Sequence, residues 1–236
     1  QWQGPYSDES RAGAKAPIGR PIGDIYDSPW RWDITLNGER IGIDKQFSAS
    51  GTGVDWAVSV KPTLTYNTLD DPVMPHKGTK WQLSAEPVVG SANLGKFDTQ
   101  LEHQIPMGDR FTLNMGVSGG TILGDAPLYQ KWNNARLGGT LYGWDSDGSL
   151  VGQNYGIAKI GVDAKIWGPI SLGAGFTGGD YFDNFGDIQP KVGVGAGVNV
   201  KIGSLGILNV GYGYKLYGKE KDDDPGAFHI GFGVPF

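Results

Sequence analysis

The sequence predicts an all-β fold: a transmembrane antiparallel β-barrel of about twelve strands with one large loop partly in its lumen. Three observations carry that reading. Apolar residues recur at every second position through most of the chain, which is the period of a strand. The alternate face of the distal strands is mostly glycine with scattered Lys and Asn, whereas a soluble sandwich would bury its apolar face and solvate a polar one. A glycine face costs strand stability and needs a reason, and a crowded, hydrated barrel interior supplies one. Finally, no window approaches the ~20 consecutive apolar residues of a spanning helix. The negative mean hydropathy does not argue against a membrane, because alternating strands hide their lipid face from an average.

Taken in order, residues 1–29 are polar, rich in Pro, Gly and charge, and read as an amino-terminal periplasmic arm with part of an irregular first strand near 14–24. The barrel is expected over 30–236. Trp30, Trp32, Ile34 and Leu36 alternate with Arg31, Asp33 and Thr35, and Asn37-Gly38 then reads as a tight hairpin turn leading into a strand at 39–48. After a Gly/Ser loop, Trp56, Val58, Val60, Leu64 and Tyr66 share one face of a long strand, with Lys61, Thr63, Thr65 and Asn67 on the other. Asp70-Asp71-Pro72, Pro75 and Gly78 punctuate the next turn. Strands at 79–89, 96–105 and 110–122 follow, with Pro106-Met107-Gly108-Asp109 turning between the last two.

Residues 123–153 break the rhythm. Barrels of bacterial outer membranes have short periplasmic turns and long outside loops. The turns at Pro106–Asp109, Gly168-Pro169 and 203–205 are all short and belong on one side, so 110–122 and 154–166 must be successive strands. The stretch between them is therefore one large outside loop, partly folded into the lumen, and not a further crossing. In the next strand Ser171, Gly173, Gly175 and Thr177 face inward. Three clear alternations close the chain: 191–203, then Leu208 to Leu216, then Phe228, Ile230, Phe232, Val234 and Phe236 against His229, Gly231, Gly233 and Pro235. Eleven strands are clear, and the even number usual in single-chain barrels asks for one more at the amino end.

Composition narrows the chemistry. The chain has 236 residues, 40 Gly, 8 Trp, 10 Tyr, no Cys and a formal charge of −5. The absence of Cys removes disulfides and the usual zinc motifs. Without a basic cluster, nucleic acid is not an expected partner. His76, His103 and His229 are the three histidines, and none has a second metal ligand at a usable spacing. A membrane phospholipase would need its His on the lipid face near the outer rim. His103 has that parity but sits two residues from a periplasmic turn, and no Gly-x-Ser-x-Gly elbow occurs. No catalytic, cofactor-binding or metal-binding residue is assigned, and the chain is expected to be no enzyme.

Over about residues 60–236 the sequence resembles the bacterial surface antigen superfamily, the BamA-like and two-partner-secretion outer-membrane barrels. The resemblance lies in ordered pieces: Thr65-Tyr66-Asn67-Thr68 with Asp70-Asp71-Pro72 and Pro75…Gly78; Ile105 to Arg110; Gly124-Asp125…Pro127-Leu128-Tyr129; Leu137-Gly138-Gly139; and Asp224-Pro225-Gly226…Phe228-His229…Gly231…Pro235-Phe236. The family carries periplasmic POTRA domains before its barrel. The stretch before the barrel here is too short for one, so the sequence is similar to a short member lacking POTRA domains.

The resemblance further implies a lumen loop whose Arg pairs with an Asp of the barrel wall. At the matching position Leu141-Tyr142-Gly143-Trp144 stands with Tyr in place of that Arg, while the wall motif survives as Gly178-Gly179-Asp180. The expected lock then comprises Arg136, Gly138, Gly139, Tyr142, Gly143, Trp144 and Asp180, with Arg136 reaching Asp180 or Asp163. Phe228, Ile230, Phe232, Val234 and Phe236 form the expected seam strand and carboxy-terminal signal. The function implied is a non-enzymatic barrel of the bacterial outer membrane that helps protein or lipid insert or move through a lateral seam. Expected partners are outer-membrane lipid or lipopolysaccharide, an unidentified protein or lipid substrate, and a second copy in a homodimer. Two other readings stay open: a passive pore or structural barrel, and the membrane-anchoring barrel of a patatin-like lipase.

Overall fold

The computed structural model describes residues 3–4, 7–24, 27–134, 137, 141–144, 150–203, 206–219 and 224–232. Eleven strands form one antiparallel sheet in which every strand pairs with its neighbour in sequence. They are β1 (Ser10–Pro21), β2 (Trp30–Gly42), β3 (Val54–Asn67), β4 (Gly78–Gly90), β5 (Leu94–Met107), β6 (Phe111–Leu123), β7 (Asn154–Trp167), β8 (Ile170–Phe182), β9 (Lys191–Lys201), β10 (Ile207–Tyr217) and β11 (Gly226–Phe232). Among the described residues no helix is long and apolar enough to cross a membrane, and such a test is silent about crossing by strands.

Register fixes the two faces. Opposed residues share a face, so Asp55, Ser59, Lys61 and Thr63 of β3 look inward together with Ile41, Asn37, Thr35 and Asp33 of β2, while Trp56, Val58, Val60 and Leu64 look outward. The outward set is exposed, with Trp56 at 56% and Val117 of β6 at 57%, whereas inward Ser59 and Thr177 are buried. An exposed apolar band around a polar interior is the inverse of a soluble fold, and it makes the membrane-barrel reading physical. Aromatic residues gather at the ends of the band: Trp30 lies 4.9 Å from Tyr66 and 6.1 Å from Trp81, centroid to centroid.

Two expectations about the amino-terminal third change. Asn37-Gly38 is not a turn: β2 runs straight through it, Asn37 opposing Lys15 of β1 on one side and Ser59 of β3 on the other. An Asn-Gly hairpin needs positive φ at both residues, and neither has it. Flanked by strands on both sides, the dipeptide spends its backbone hydrogen bonds on ladders. The barrel also begins earlier than Trp30, since Ser10–Pro21 is a full strand in register with β2. Its outward face runs Ala12, Ala14, Ala16, Ile18 and Arg20, of which the three alanines are too small to register as an alternation of apolar bulk. Merging two expected strands into β2 gives eleven long strands.

The connections divide between the two ends of the sheet. Those after β1, β3, β5, β7 and β9 leave from one end, which holds the three short turns expected to share a side. Those after β2, β4, β6, β8 and β10 leave from the other, which holds the longest of them. The long stretch adds no crossing: its described strands are a two-residue pair, Trp132–Asn133 with Val151–Gly152. Among the described residues no ladder joins β1 to β11, and the described sheet is open between them.

Candidate functional site: the lumen loop and the sheet edges

The loop enters the lumen as a β-turn. Trp144 N–H donates to Leu141 O at 3.1 Å, and Gly143 takes φ +89° at the third position, where a type II turn demands it. Tyr142 N–H donates to inward Thr177 Oγ1 of β8 at 2.8 Å. The turn's backbone rests on the glycine faces of β9 and β10: a Cβ at Gly193 would fall 2.0 Å from Tyr142 O, and one at Gly213 would fall 2.2 Å from Gly143 N. The glycine face therefore has a specific cause at these two positions. It is the bed of the loop.

Asn134, fully buried, holds the turn from behind, donating to Trp144 O at 2.6 Å and accepting from Leu141 N–H at 3.2 Å and Tyr181 O–H at 3.3 Å. Leu141, Trp144 and Leu150 pack with Tyr155, Ile157 and Tyr181 of the wall. Where the family pattern has an Arg, Tyr142 presents its ring to Lys159 Nζ of β7 at 5.7 Å, and Lys215 Nζ of β10 lies 5.4 Å from the Trp144 ring. Here the wall supplies the cation and the loop the π-face.

Asp180 has another role than the one expected. In the β7–β8 register it opposes Gly156, on the outward parity, with no register shift at Gly178-Gly179. Its carboxylate accepts from Lys191 Nζ at 2.8 Å and Gln189 N–H at 2.6 Å, which buries it beneath the β8–β9 connection. Arg136, Gly138 and Gly139 lie outside the described residues. Inward Asp163 accepts a hydrogen bond from Asn114. Of the seam residues, Phe228, Ile230 and Phe232 face outward on β11 at 79%, 75% and 62% exposure, and Val234 and Phe236 lie outside the described residues.

Sequence reasoning missed the opposite mouth. The β3–β4 connection, 68–77, turns under the lumen. Asp71 pairs with Lys201 Nζ at the end of β9 at 2.6 Å, and His76 bonds to inward Thr112 of β6 and to Gly108 O at 3.2 Å. The Lys201 hydrogen bond, with help from Met74 N–H, holds the Asp71 carboxyl down at about 2. Asp70 and Asp71 also accept backbone N–H groups of residues 73–77, which pins the connection's shape. The Asp-Asp-Pro signal was visible, but not its partner 130 residues later.

At the long-loop end, Arg11 of β1 donates to Tyr129 O at 2.6 Å and pairs with Glu39 at 2.9 Å. Burial opposes ionisation of Asp183, but Lys131 and Gln153 N–H outweigh it and hold its carboxyl below the usual range. No cluster of His, Cys, Asp and Glu able to hold a metal exists among the described residues.

Comparison with known proteins agrees with this geometry. The Omp85 superfamily domain matches residues 5–236. Among solved structures, BamA from Haemophilus ducreyi lacking POTRA domains 1–3 superposes with a TM-score of 0.73 at 12% identity, over 95% of this chain and 54% of that one. The chain thus spans about half the length of that protein, and at this identity the likeness is one of fold. No curated protein matches significantly.

Proposed function

The chain belongs to the Omp85 superfamily, and from that premise we propose that it is a non-enzymatic barrel of the bacterial outer membrane that assists insertion or transport of protein or lipid at the seam between β1 and β11. The observation that carries the reading is one of direction. Ten antiparallel steps separate β1 from β11, so both run from the long-loop end to the short-turn end. An antiparallel closure of either edge requires a strand running the other way. Two copies in the same membrane orientation present four edges of one direction, so an edge-to-edge homodimer would join in parallel. A client strand entering from the short-turn end has the direction the edges lack, and antiparallel pairing is slightly the more stable kind.

A passive pore is disfavoured by the loop on β8–β10 and by the crossing of the opposite mouth by 68–77. Edge strands invite association unless blunted, and β1 carries Pro17, Lys15 and Arg11, which keep it from pairing indiscriminately.

The test uses the full chain in proteoliposomes, with a photo-crosslinker at Ala14 of β1, Ile230 of β11 or Val117 of β6 during insertion of a client barrel protein. Client adducts at the two edge positions and none at Val117 are expected. Adducts spread evenly around the wall, or none above background while insertion proceeds, would remove the seam reading.

A further inference from the structure

On the outward face of the eleven strands the register places just three charged side chains among the described residues: Arg20, Arg40 and Asp180. Asp180 is paired with Lys191. The two cations both belong to the β1–β2 hairpin, at opposite ends of it. Each stands across from a tryptophan, Arg20 opposite Trp32 and Arg40 opposite Trp56. Both are exposed. Neither makes an ion pair or side-chain hydrogen bond among the described residues, whereas inward Arg11 and Arg31 are each paired with a carboxylate.

The space beside them is shaped. Arg20 and Trp32 line a groove of about 560 Å³ with Pro21, Ile22 and Gly23. Toward Arg40 the hairpin's outer face is small, with Ala12, Ala14, Ala16 and Gly38 forming a shallow trough along β1, and toward Arg20 it is filled by Leu36, Ile18 and Ile34. Along β2, eight residues separate Arg40 from the position opposite Arg20. At ~3.3 Å per residue and a ~40° tilt this is roughly 20 Å along the membrane normal, so two snorkelling guanidiniums reach the two borders of a ~25 Å apolar band.

We propose that this outer hairpin face binds membrane lipid, with a lipid phosphate held by Arg20 at the short-turn border, another by Arg40 at the long-loop border, and acyl chains lying in the alanine trough beside the free edge of β1. A guanidinium presents a planar fork that matches phosphate oxygens, and the neighbouring indole lies at the depth where ring and headgroup meet. A charged fork at the edge of hydrocarbon needs a counter-charge, and among the described residues no carboxylate pairs with either arginine. This proposal rests on the barrel lying in a bilayer and not on the seam handling a client.

Native mass spectrometry of the detergent-purified full chain tests it, using phosphatidylglycerol, diacylglycerol of the same acyl chains, and inorganic phosphate as competitor. Wild type should retain about tenfold more phosphatidylglycerol than diacylglycerol, the scale of one charge-assisted hydrogen bond. R20Q and R40Q should each lose part of that preference and R20Q/R40Q all of it. The lysine pair R20K/R40K should keep part, and all variants should keep wild-type electrophoretic heat-modifiability as the check on folding. A double variant that retains phosphatidylglycerol like wild type overturns the proposal, as does full displacement by inorganic phosphate, which would indicate a free-anion site. Client insertion measured on the same preparations reports separately on the seam.

Discussion

Strands β7–β11 line the lumen with glycine and hold a loop, whereas β1–β5 line it with charge and hold one another. In the first wall, Gly193 and Gly213 leave room for a backbone, and the cations Lys159 and Lys215 meet rings of the loop. In the second, Arg11 pairs with Glu39, Arg31 with Asp33 and Lys61 with Asp98, and Ser59 donates to Glu86 at 2.6 Å. Lys96 donates to Gln130 at 2.7 Å, so here too a loop is touched, but through a side chain. A polar cavity of about 150 Å³ remains between Arg11, Lys15, Glu39, Glu86 and Lys96. The contrast teaches that a barrel interior can be filled by a segment distant in sequence or by its own long side chains, and that glycine marks the first solution.

The outer face should not know this difference. Arginine at Val60 of the charged wall and at Val198 of the glycine-faced wall should each destabilise by about 2–4 kcal/mol in denaturant unfolding from lipid. Unequal costs would mean that one wall is not facing the bilayer. The inner face should know it sharply. Gly193→Val and Gly213→Val drive a side chain into loop backbone and should cost about 1–3 kcal/mol and speed proteolysis of the loop. Gly116→Ala, whose Cβ has its nearest neighbour at 3.7 Å, should be close to neutral. Equal tolerance at 116 and 213 would break the comparison.

Smaller effects sharpen it. A double-mutant cycle of Lys159→Met and Tyr142→Leu should show a coupling of about 0.5–1 kcal/mol if the cation–aromatic pair secures the turn. Additivity would leave the turn to Asn134 and the glycine bed. The smallest effect is acid dependence of the mouth. Asp71 has a depressed folded pKa, so its contribution is complete above its ordinary value and is lost as pH falls toward about 2. Its side chain is 35% exposed, so the loss should be roughly a few tenths of a kcal/mol. Asp71→Asn should flatten the stability profile between pH 5 and pH 2 by that amount, and an unchanged profile would show the pair to be idle.

Much of this was legible. Period two revealed the faces of β7–β11 directly, because Val, Tyr and Phe outside contrast with Gly, Asn and Lys inside. β1 escaped because alanine gives a weak alternation. Asn37-Gly38 misled because local turn chemistry lost to ladders on both sides, a non-local effect. The glycine bed was visible as composition, but its cause was a turn some fifty residues earlier in the chain. Asp180 followed the strand's parity, and its partners came from a connection with no periodicity to read. The crossing of the mouth by 68–77 depends on Asp71 meeting Lys201, a pairing that no local pattern encodes.

The two contacts that span the molecule have a mechanical consequence. The strap from Asp71 to Lys201 runs from the β3–β4 connection to β9, and the long loop runs from Arg11 on β1 to its bed on β9 and β10. One therefore ties the β3–β4 connection to β9 and the other ties edge strand β1 to β9 and β10, one at each end of the barrel. A sheet curled with its margins apart behaves as a spring, and these contacts act as its two tie rods. Pulling the margins apart loads the Asp71–Lys201 ion pair at one end and, at the other, the Arg11–Tyr129 bond together with the Lys96–Gln130 bond that also holds the loop. The ease with which the margins part thus depends on side chains far from the edges as well as on the ladders themselves.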